Sequence, residues 1–277
     1  MSAPTTAQRE APAGTPVLAL RAISKSFGAV AALTDVDLDV HAGEVVAIVG
    51  DNGAGKSTLV KVLSGVHTQT KGTIEFESHQ VRIGSPAEAR QLGIATVFQD
   101  LALCENLSVV ENLFLGQEIG RFRLSETKME TRSWELLRQL SAKIPTVRIP
   151  VASLSGGQRQ TVAIARSLLG DPKIVILDEP TAALGVAQTA EVLNLVERLR
   201  ENGHGVIMVS HNMADVKAVA DRVAVLRLGR NNGVFDARSV TSEEIIAAIT
   251  GATDNVVSQR AGRQVATDPT ASKEVTP

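Results

Sequence analysis

The segment Gly50-Asp51-Asn52-Gly53-Ala54-Gly55-Lys56-Ser57 constrains this chain more than any other, because it fits the spacing G-x-x-x-x-G-K-[ST] and is flanked as that spacing demands. The apolar run Glu44-Val45-Val46-Ala47-Ile48-Val49 before it reads as a buried strand. Leu59-Val60-Lys61-Val62-Leu63 after it reads as a helix stopped by Gly65. Glycines let successive backbone N–H groups converge on phosphates, and the helix N-terminus adds the positive end of its dipole. Lys56 supplies a mobile charge and Ser57 offers a hydroxyl to Mg²⁺. A nucleoside triphosphate is therefore the first ligand to consider.

The rest of the composition narrows the class. With 277 residues and 44% hydrophobic content the chain can bury one sizeable core. Lys and Arg number 28 against 30 Asp and Glu, a balance that leaves no electrostatic footprint for nucleic acid. No apolar stretch approaches the ~18 residues of a membrane span, and Met1 to Pro16 lacks the apolar centre of a signal peptide, so a cytosolic location is expected. The single cysteine, Cys104, has no partner for a disulfide or a zinc site and reads as a small hydrophobe. Six Phe, one Trp and no Tyr mean that aliphatic side chains must fill the core, which suits helices laid on a sheet of β-branched strands, an α/β architecture.

Residues 1–15 and 252–277 are rich in Ala, Thr, Ser, Pro and charge and are expected to be disordered tails. Val17 to Ala22, Val36 to Val40 and Gly72 to Ile83 alternate like half-exposed strands and predict an antiparallel β layer. A helical subdomain follows, opened by the capping box Ser108-Val109-Val110-Glu111 and continued by Lys128 to Leu140. Strands at Lys173–Leu177, Gly205–Val209 and Val223–Leu226 alternate with helical stretches at Ala190–Arg200 and Ala214–Ala220, the pattern of βαβ units in a parallel sheet. Thr241-Ser242-Glu243-Glu244 caps a last short helix ending at Gly251.

Two further motifs carry chemistry. Ile174-Val175-Ile176-Leu177-Asp178-Glu179 is an apolar strand that delivers two carboxylates to the sheet edge where the phosphate loop also opens. Asp178 is assigned to Mg²⁺ and Glu179 to the attacking water. Leu154-Ser155-Gly156-Gly157-Gln158 opens a helix that ends near Gly170. Ser155 is a good N-cap, and a free helix start with two glycines is also a second anion site, suited to the phosphate of another subunit.

Together these residues resemble the nucleotide-binding subunit of ABC transporters, from about Leu18 to Gly251. Gly50 to Ser57 matches that family's Walker A, Leu154 to Gln158 its signature, Ile174 to Glu179 its Walker B, Gln99 its Q-loop glutamine and His211 its switch histidine. The resemblance implies an α/β fold: a P-loop NTPase cassette over residues 16–251 with a RecA-like core, an antiparallel β subdomain and a small helical subdomain at about 100–170. It implies an ATPase that binds ATP and Mg²⁺ through Gly50, Asn52, Gly53, Ala54, Gly55, Lys56, Ser57 and Thr58. Adenine would stack on Phe27, and Ser155, Gly156, Gly157 and Gln158 would reach the γ-phosphate from a second cassette, in a homodimer. Glu179, His211, Gln99 and Lys56 are the implied catalytic group, and Ser57, Gln99 and Asp178 the implied metal group.

After Pro180 the family commonly reads S-A-L-D, whereas this chain has Ala182-Ala183-Leu184-Gly185. That departure, with Gln99-Asp100-Leu101-Ala102-Leu103 and Ser210-His211-Asn212-Met213, is similar to the fructose, ribose and xylose branch of sugar importers, in its single-cassette form. The implied partners are integral membrane permease subunits and, indirectly, a periplasmic or extracellular sugar-binding protein, with the chain peripheral on the inner face of the membrane. A soluble ABC ATPase working without transport is the alternative. A GTPase finds no N-K-x-D guanine motif.

Overall fold

The computed structural model describes residues 14–120 and 124–252. Except for Gly14, Thr15 and Ala252, the segments read as tails lie outside the described residues. The chain opens with β1 (Leu18–Phe27), β2 (Val30–Val40) and β3 (Val45–Val49), followed by α1 (Lys56–Leu63), β4 (Lys71–Phe76), β5 (His79–Val81), α2 (Pro86–Leu92) and β6 (Ile94–Val97). Helices α3 (Val109–Phe114), α4 (Glu126–Gln139) and α5 (Gly156–Ser167) come next. The chain closes with β7 (Ile174–Asp178), α6 (Val186–Glu201), β8 (Gly205–Val209), α7 (Met213–Val219), β9 (Arg222–Arg227), β10 (Arg230–Asp236) and α8 (Ser242–Thr250).

Six strands form the central sheet in the order β10-β9-β3-β8-β7-β6, parallel throughout except where β10 turns back on β9. Its strands are apolar at nearly every position because both faces are covered, and successive residues point to opposite sides. Val45, Ala47, Val49, Val175, Leu177, Val206 and Met208 meet α3 to α8 on one face. Val46, Ile48, Ile174, Ile176, Ile207 and Val209 meet α1 and the antiparallel layer on the other. That layer is the second sheet, ordered β2-β1-β4-β5. The three helices α3, α4 and α5 pack on one another beyond the sheet, and the capping box read at Ser108 is formed, with Ser108 accepting from Glu111 N at 3.3 Å and Glu111 from Ser108 N at 2.7 Å.

Three elements escaped the sequence reading. Strand β10 carries Arg230-Asn231-Asn232-Gly233 and lies at the sheet's edge, so neither alternation nor a buried run marks it. Helix α2 spans only 7 residues between its cap, Ser85, and its stop, Gly93, and presents only Ala89 to the core. Strand β6 spans four residues, too few to show a period. Cys104 is half-buried, as expected for a small hydrophobe, and its N–H is held by the buried Asn112 side chain at 2.7 Å.

Glu44, just before β3, is fully buried. Its Oε2 accepts from His41 N at 2.8 Å and its Oε1 from Arg222 Nη1 at 2.9 Å, so one carboxylate ties the start of β3 to the start of β9. Removing one partner of such a pair strands the other. We expect Glu44→Ala to lower unfolding free energy by about 3 kcal/mol in urea titrations, the low end for buried pairs because Arg222 keeps some solvent contact. A loss below the experimental error would show that the carboxylate carries no structural weight.

Candidate functional site

Strands β3, β7 and β8 end at the same level, with Ile48 beside Val209 and Val209 beside Asp178. The phosphate loop, the carboxylate pair and His211 therefore leave the sheet at one edge, where crossover sheets gather their ligands. Gly50 must be glycine: its φ is 155°, and a Cβ there would stand 2.3 Å from the Leu226 carbonyl oxygen. Gly55, at φ 105°, would place one 2.9 Å from the Ala32 oxygen. The loop is braced from behind, as Gly229 N–H donates to Ala54 O at 3.0 Å and Thr34 N–H donates to Gly229 O at 2.7 Å.

Helix α1 starts at Lys56 with no side-chain cap and no acidic residue in its first turn. Its leading N–H groups are thus free for an anion, and the dipole favours one. Lys56 folds back over the loop, donating to Gly50 O at 2.6 Å and Asp51 O at 3.1 Å. Ser57, Asn52 and Gly53 are exposed, Thr58 is half-buried and Ala54 is buried.

Asp178 is half-buried at the end of β7. Burial pushes its carboxyl above the usual range, the neighbouring charge of Glu179 adds to this, and Lys56 and Lys61 pull the other way. Glu179 sits at φ 50°, a left-handed conformation uncommon outside glycine, with its N–H donating to Val209 O at 3.0 Å. Its Oε2 lies 2.8 Å from His211 Nδ1, so the acid assigned to the attacking water and the histidine matched to the family's switch face each other. The histidine is largely exposed and the glutamate is not, with side-chain exposures of 73% and 15%. Gln99 is exposed just past β6, beside β7, at this same edge.

Phe27 ends β1 with 44% of its surface exposed. His67 meets it edge to face, with ring centroids 5.1 Å apart, and the Lys25 ammonium stands 5.0 Å from the ring centre. A ring open to solvent on a supported platform suits a base better than a core. His67 carried no signal in the sequence, because only the fold brings it to Phe27.

Ser155 lies elsewhere, at the start of α5. Its hydroxyl accepts from Gln158 N at 3.3 Å, Gln158 Oε1 accepts from Ser155 N at 3.0 Å, and Gln158 Nε2 donates to Lys143 O at 3.0 Å. Gly156 and Gly157 are packing residues as well: a Cβ on the first would meet Leu184 Cδ2 at 2.8 Å, and on the second Glu191 Oε2 at 3.2 Å. Gly185, in the place of the family's aspartate, caps α6 through its backbone, and Val186 beside it is 91% exposed. Arg166, near the end of α5, donates to Leu101 O at 2.7 Å and Ala102 O at 2.8 Å, which ties this helix to the loop after Gln99. These groups flank a groove of about 620 Å³ that Arg90, Phe98, Leu101, Leu115 and Gln117 help to line. Among the described residues no helix is long and apolar enough to cross a membrane.

A glycine loop, an uncapped helix start, a strand-end acid pair and a histidine on one edge of a parallel sheet define a P-loop nucleotide cassette. The chain belongs to the ABC transporter family, whose model, described as "ABC transporter", matches residues 33–182. It is 46% identical over 215 residues to the xylose/arabinose import ATP-binding protein of Sulfolobus acidocaldarius, covering 77% of this chain and 86% of that one. It is 43% identical over 246 residues to the fructose import ATP-binding protein of Rhizobium meliloti, covering 86% and 95%. Against the ribose import ATP-binding protein of Yersinia pestis it is 40% identical over 237 residues but spans only 46% of that relative's length. Among solved structures, an ATP-binding cassette of an ABC transporter in its ADP conformation superposes with a TM-score of 0.75 at 27% identity, over 86% of this chain and 96% of the other. A dimeric cassette in a post-hydrolysis state, bound to ADP and phosphate, gives 0.67 at 27% identity, over 80% and 100%.

The raised pKa of Asp178 has a consequence for stability. Its ionised form is disfavoured by the fold, so the charge costs stability at neutral pH and costs nothing once pH falls below the unfolded value, where both states hold the proton. Asp178→Asn should therefore raise the melting temperature of the nucleotide-free protein at pH 7, with the gain shrinking toward pH 4, in calorimetric scans. A lower melting temperature at pH 7 would contradict the assigned cause.

Proposed function

We propose that this chain is the ATP-hydrolysing subunit of a sugar importer, acting as a pair of cassettes beneath separate membrane permease subunits. The observation that carries this reading is the division of the site. The phosphate loop, Asp178, Glu179 and His211 share one sheet edge, while Ser155 and Gln158, on a different element, each accept from the other's backbone N–H, and Gln158 also donates to Lys143 O. A second copy would complete the enclosure of the triphosphate. The dimeric relative bound to ADP and phosphate supports this arrangement, and the xylose, fructose and ribose importers among the relatives support a monosaccharide as cargo.

Phosphoryl transfer asks a protein mainly for positioning and charge neutralisation. The N–H groups of Gly53 to Ser57 would cradle the β- and γ-phosphates. Lys56 would exchange its two loop carbonyls for phosphate oxygens, a swap that spares it desolvation at the moment of binding. Phe27 would stack the adenine. Glu179 would take up the proton of the attacking water, which Gln99 would also reach, and His211 would steady the γ-phosphate. From the partner, Ser155 and the N–H groups of Gly156 and Gly157 would bind that same phosphate.

The donors Ser57, Asp178 and Gln99 are hydroxyl, carboxylate and amide oxygens, the hard set that Mg²⁺ prefers, and Asp178 is a carboxylate whose charge the fold leaves under-compensated. Among the described residues no cluster of three His, Cys, Asp or Glu side chains would hold a softer metal. When bound there, Mg²⁺ neutralises charge on the phosphates.

The groove between α5 and the loop after Gln99 is the proposed seat of the permease, which places the chain peripherally on the cytoplasmic face of the membrane. A periplasmic or extracellular binding protein would then select the sugar.

Glu179→Gln should bind ATP yet lower turnover by at least about a hundredfold, the share of a general base, and should sediment as a dimer only with ATP and Mg²⁺. Hydrolysis at the wild-type rate would remove Glu179 from that role. In the native host, deleting this gene should abolish uptake of radiolabelled fructose, xylose or ribose, and unchanged uptake of all three would remove sugar import.

A further inference from the structure

We infer that Asp215, through its bond to Thr181, is a positioning residue that sets the distance between Glu179 and His211. The inference rests on the ATPase reading above but concerns residues outside the catalytic set.

Two segments leave the sheet side by side. The first, from β7, turns sharply at Glu179, with Ala182 N–H donating to Glu179 O at 3.1 Å and Leu184 N–H to Thr181 O at 3.3 Å. The second, from β8, is fixed by Ser210 N–H to Ile48 O at 3.3 Å and by Asn212 N–H to Ser210 Oγ at 3.1 Å before it enters α7. Side-chain bonds join them at two places. Glu179 with His211 is the outer one, open to solvent on the histidine side. Thr181 with Asp215 is the inner one: the hydroxyl donates to Asp215 Oδ2 at 2.6 Å, and Asp215 is only 4% exposed.

The two joints differ in what they can do. An exposed pair competes with water and holds two loops weakly, whereas a short O–H···O bond to a buried acid is of the strong, directional kind. The outer joint has to open when a water and a phosphate arrive between Glu179 and His211. The inner joint has no such duty, and with Thr181 two residues after Glu179 and Asp215 four after His211, it ties the two segments together just beyond the outer joint while that joint works. It also bears on Glu179's left-handed φ, which persists only if its surroundings over-determine it.

Thr181→Val removes the hydroxyl and keeps the shape. In steady-state hydrolysis by the full chain it should lower kcat by about tenfold or more while KM for ATP moves less than about twofold. Thr181→Ser, which keeps the donor, should restore most of kcat, and Asp215→Asn, whose amide oxygen can still accept, should fall between. In a His211→Ala background the valine should cost little more, because the geometry it protects is already lost. A wild-type kcat for Thr181→Val with a lowered melting temperature would make the pair merely structural and overturn the inference. So would a loss that multiplies in full with His211→Ala, or a serine variant no better than the valine. A wild-type chain without hydrolysis would instead sink the ATPase reading, and this inference with it.

Discussion

A parallel sheet buried on both faces has nowhere to put polar chemistry except at its strand ends, and this molecule is organised by that restriction. Val45 to Val49, Ile174 to Leu177 and Gly205 to Val209 are consumed entirely by packing, odd and even residues serving opposite cores. Only past these runs, at the half-buried Asp178 and at the exposed Asp51 and His211, can side chains face a ligand. Because the three strands run the same way and end in register, those residues arrive together. The site is a consequence of how the sheet is covered.

Most charges at this edge answer one another. Lys56 holds the carbonyls of its own loop, and Glu179 holds His211. Asp178 sits where burial and the charge of Glu179 outweigh the pull of Lys56 and Lys61 and disfavour its ionised form. Such an edge suits an incoming triphosphate and cation: phosphate oxygens would give Lys56 stronger acceptors than its two loop carbonyls, and a cation would offset the charge that the fold disfavours on Asp178. At the start of α5 Ser155 is exposed and its capping box is complete, while Gly156 is half-buried and Gly157 buried.

How much of this was legible in the sequence depended on whether a residue acts alone or through neighbours. The glycine loop, the apolar strand ending in Asp178 and Glu179, and the capping boxes at Ser108 and Thr241 are local patterns, and each stands where it was read. At Ser155 only the N-cap was read, although Ser155-x-x-Gln158 has the same spacing as the other two boxes and forms one. Strand β10 was lost because an edge strand with Asn-Asn-Gly has no buried face to write a period. The least legible features join residues far apart in sequence: His67 under Phe27, Arg166 on the loop after Gln99, and Thr181 on Asp215. No spacing rule predicts those, because only the folded sheet makes them neighbours.

The account turns on one triphosphate being gripped by two chains, and mixing two crippled variants tests that most directly. Lys56→Ala disables the loop, and Ser155→Asp keeps the helix capped while setting a carboxylate against the phosphate. If each pocket draws its loop from one copy and its α5 start from the other, a mixed pair contains one pocket free of both defects. The account predicts that the mixture hydrolyses ATP although neither variant does so alone. A mixture as inactive as its components, with mixed pairs shown to form, would place the whole site within a single chain and contradict it.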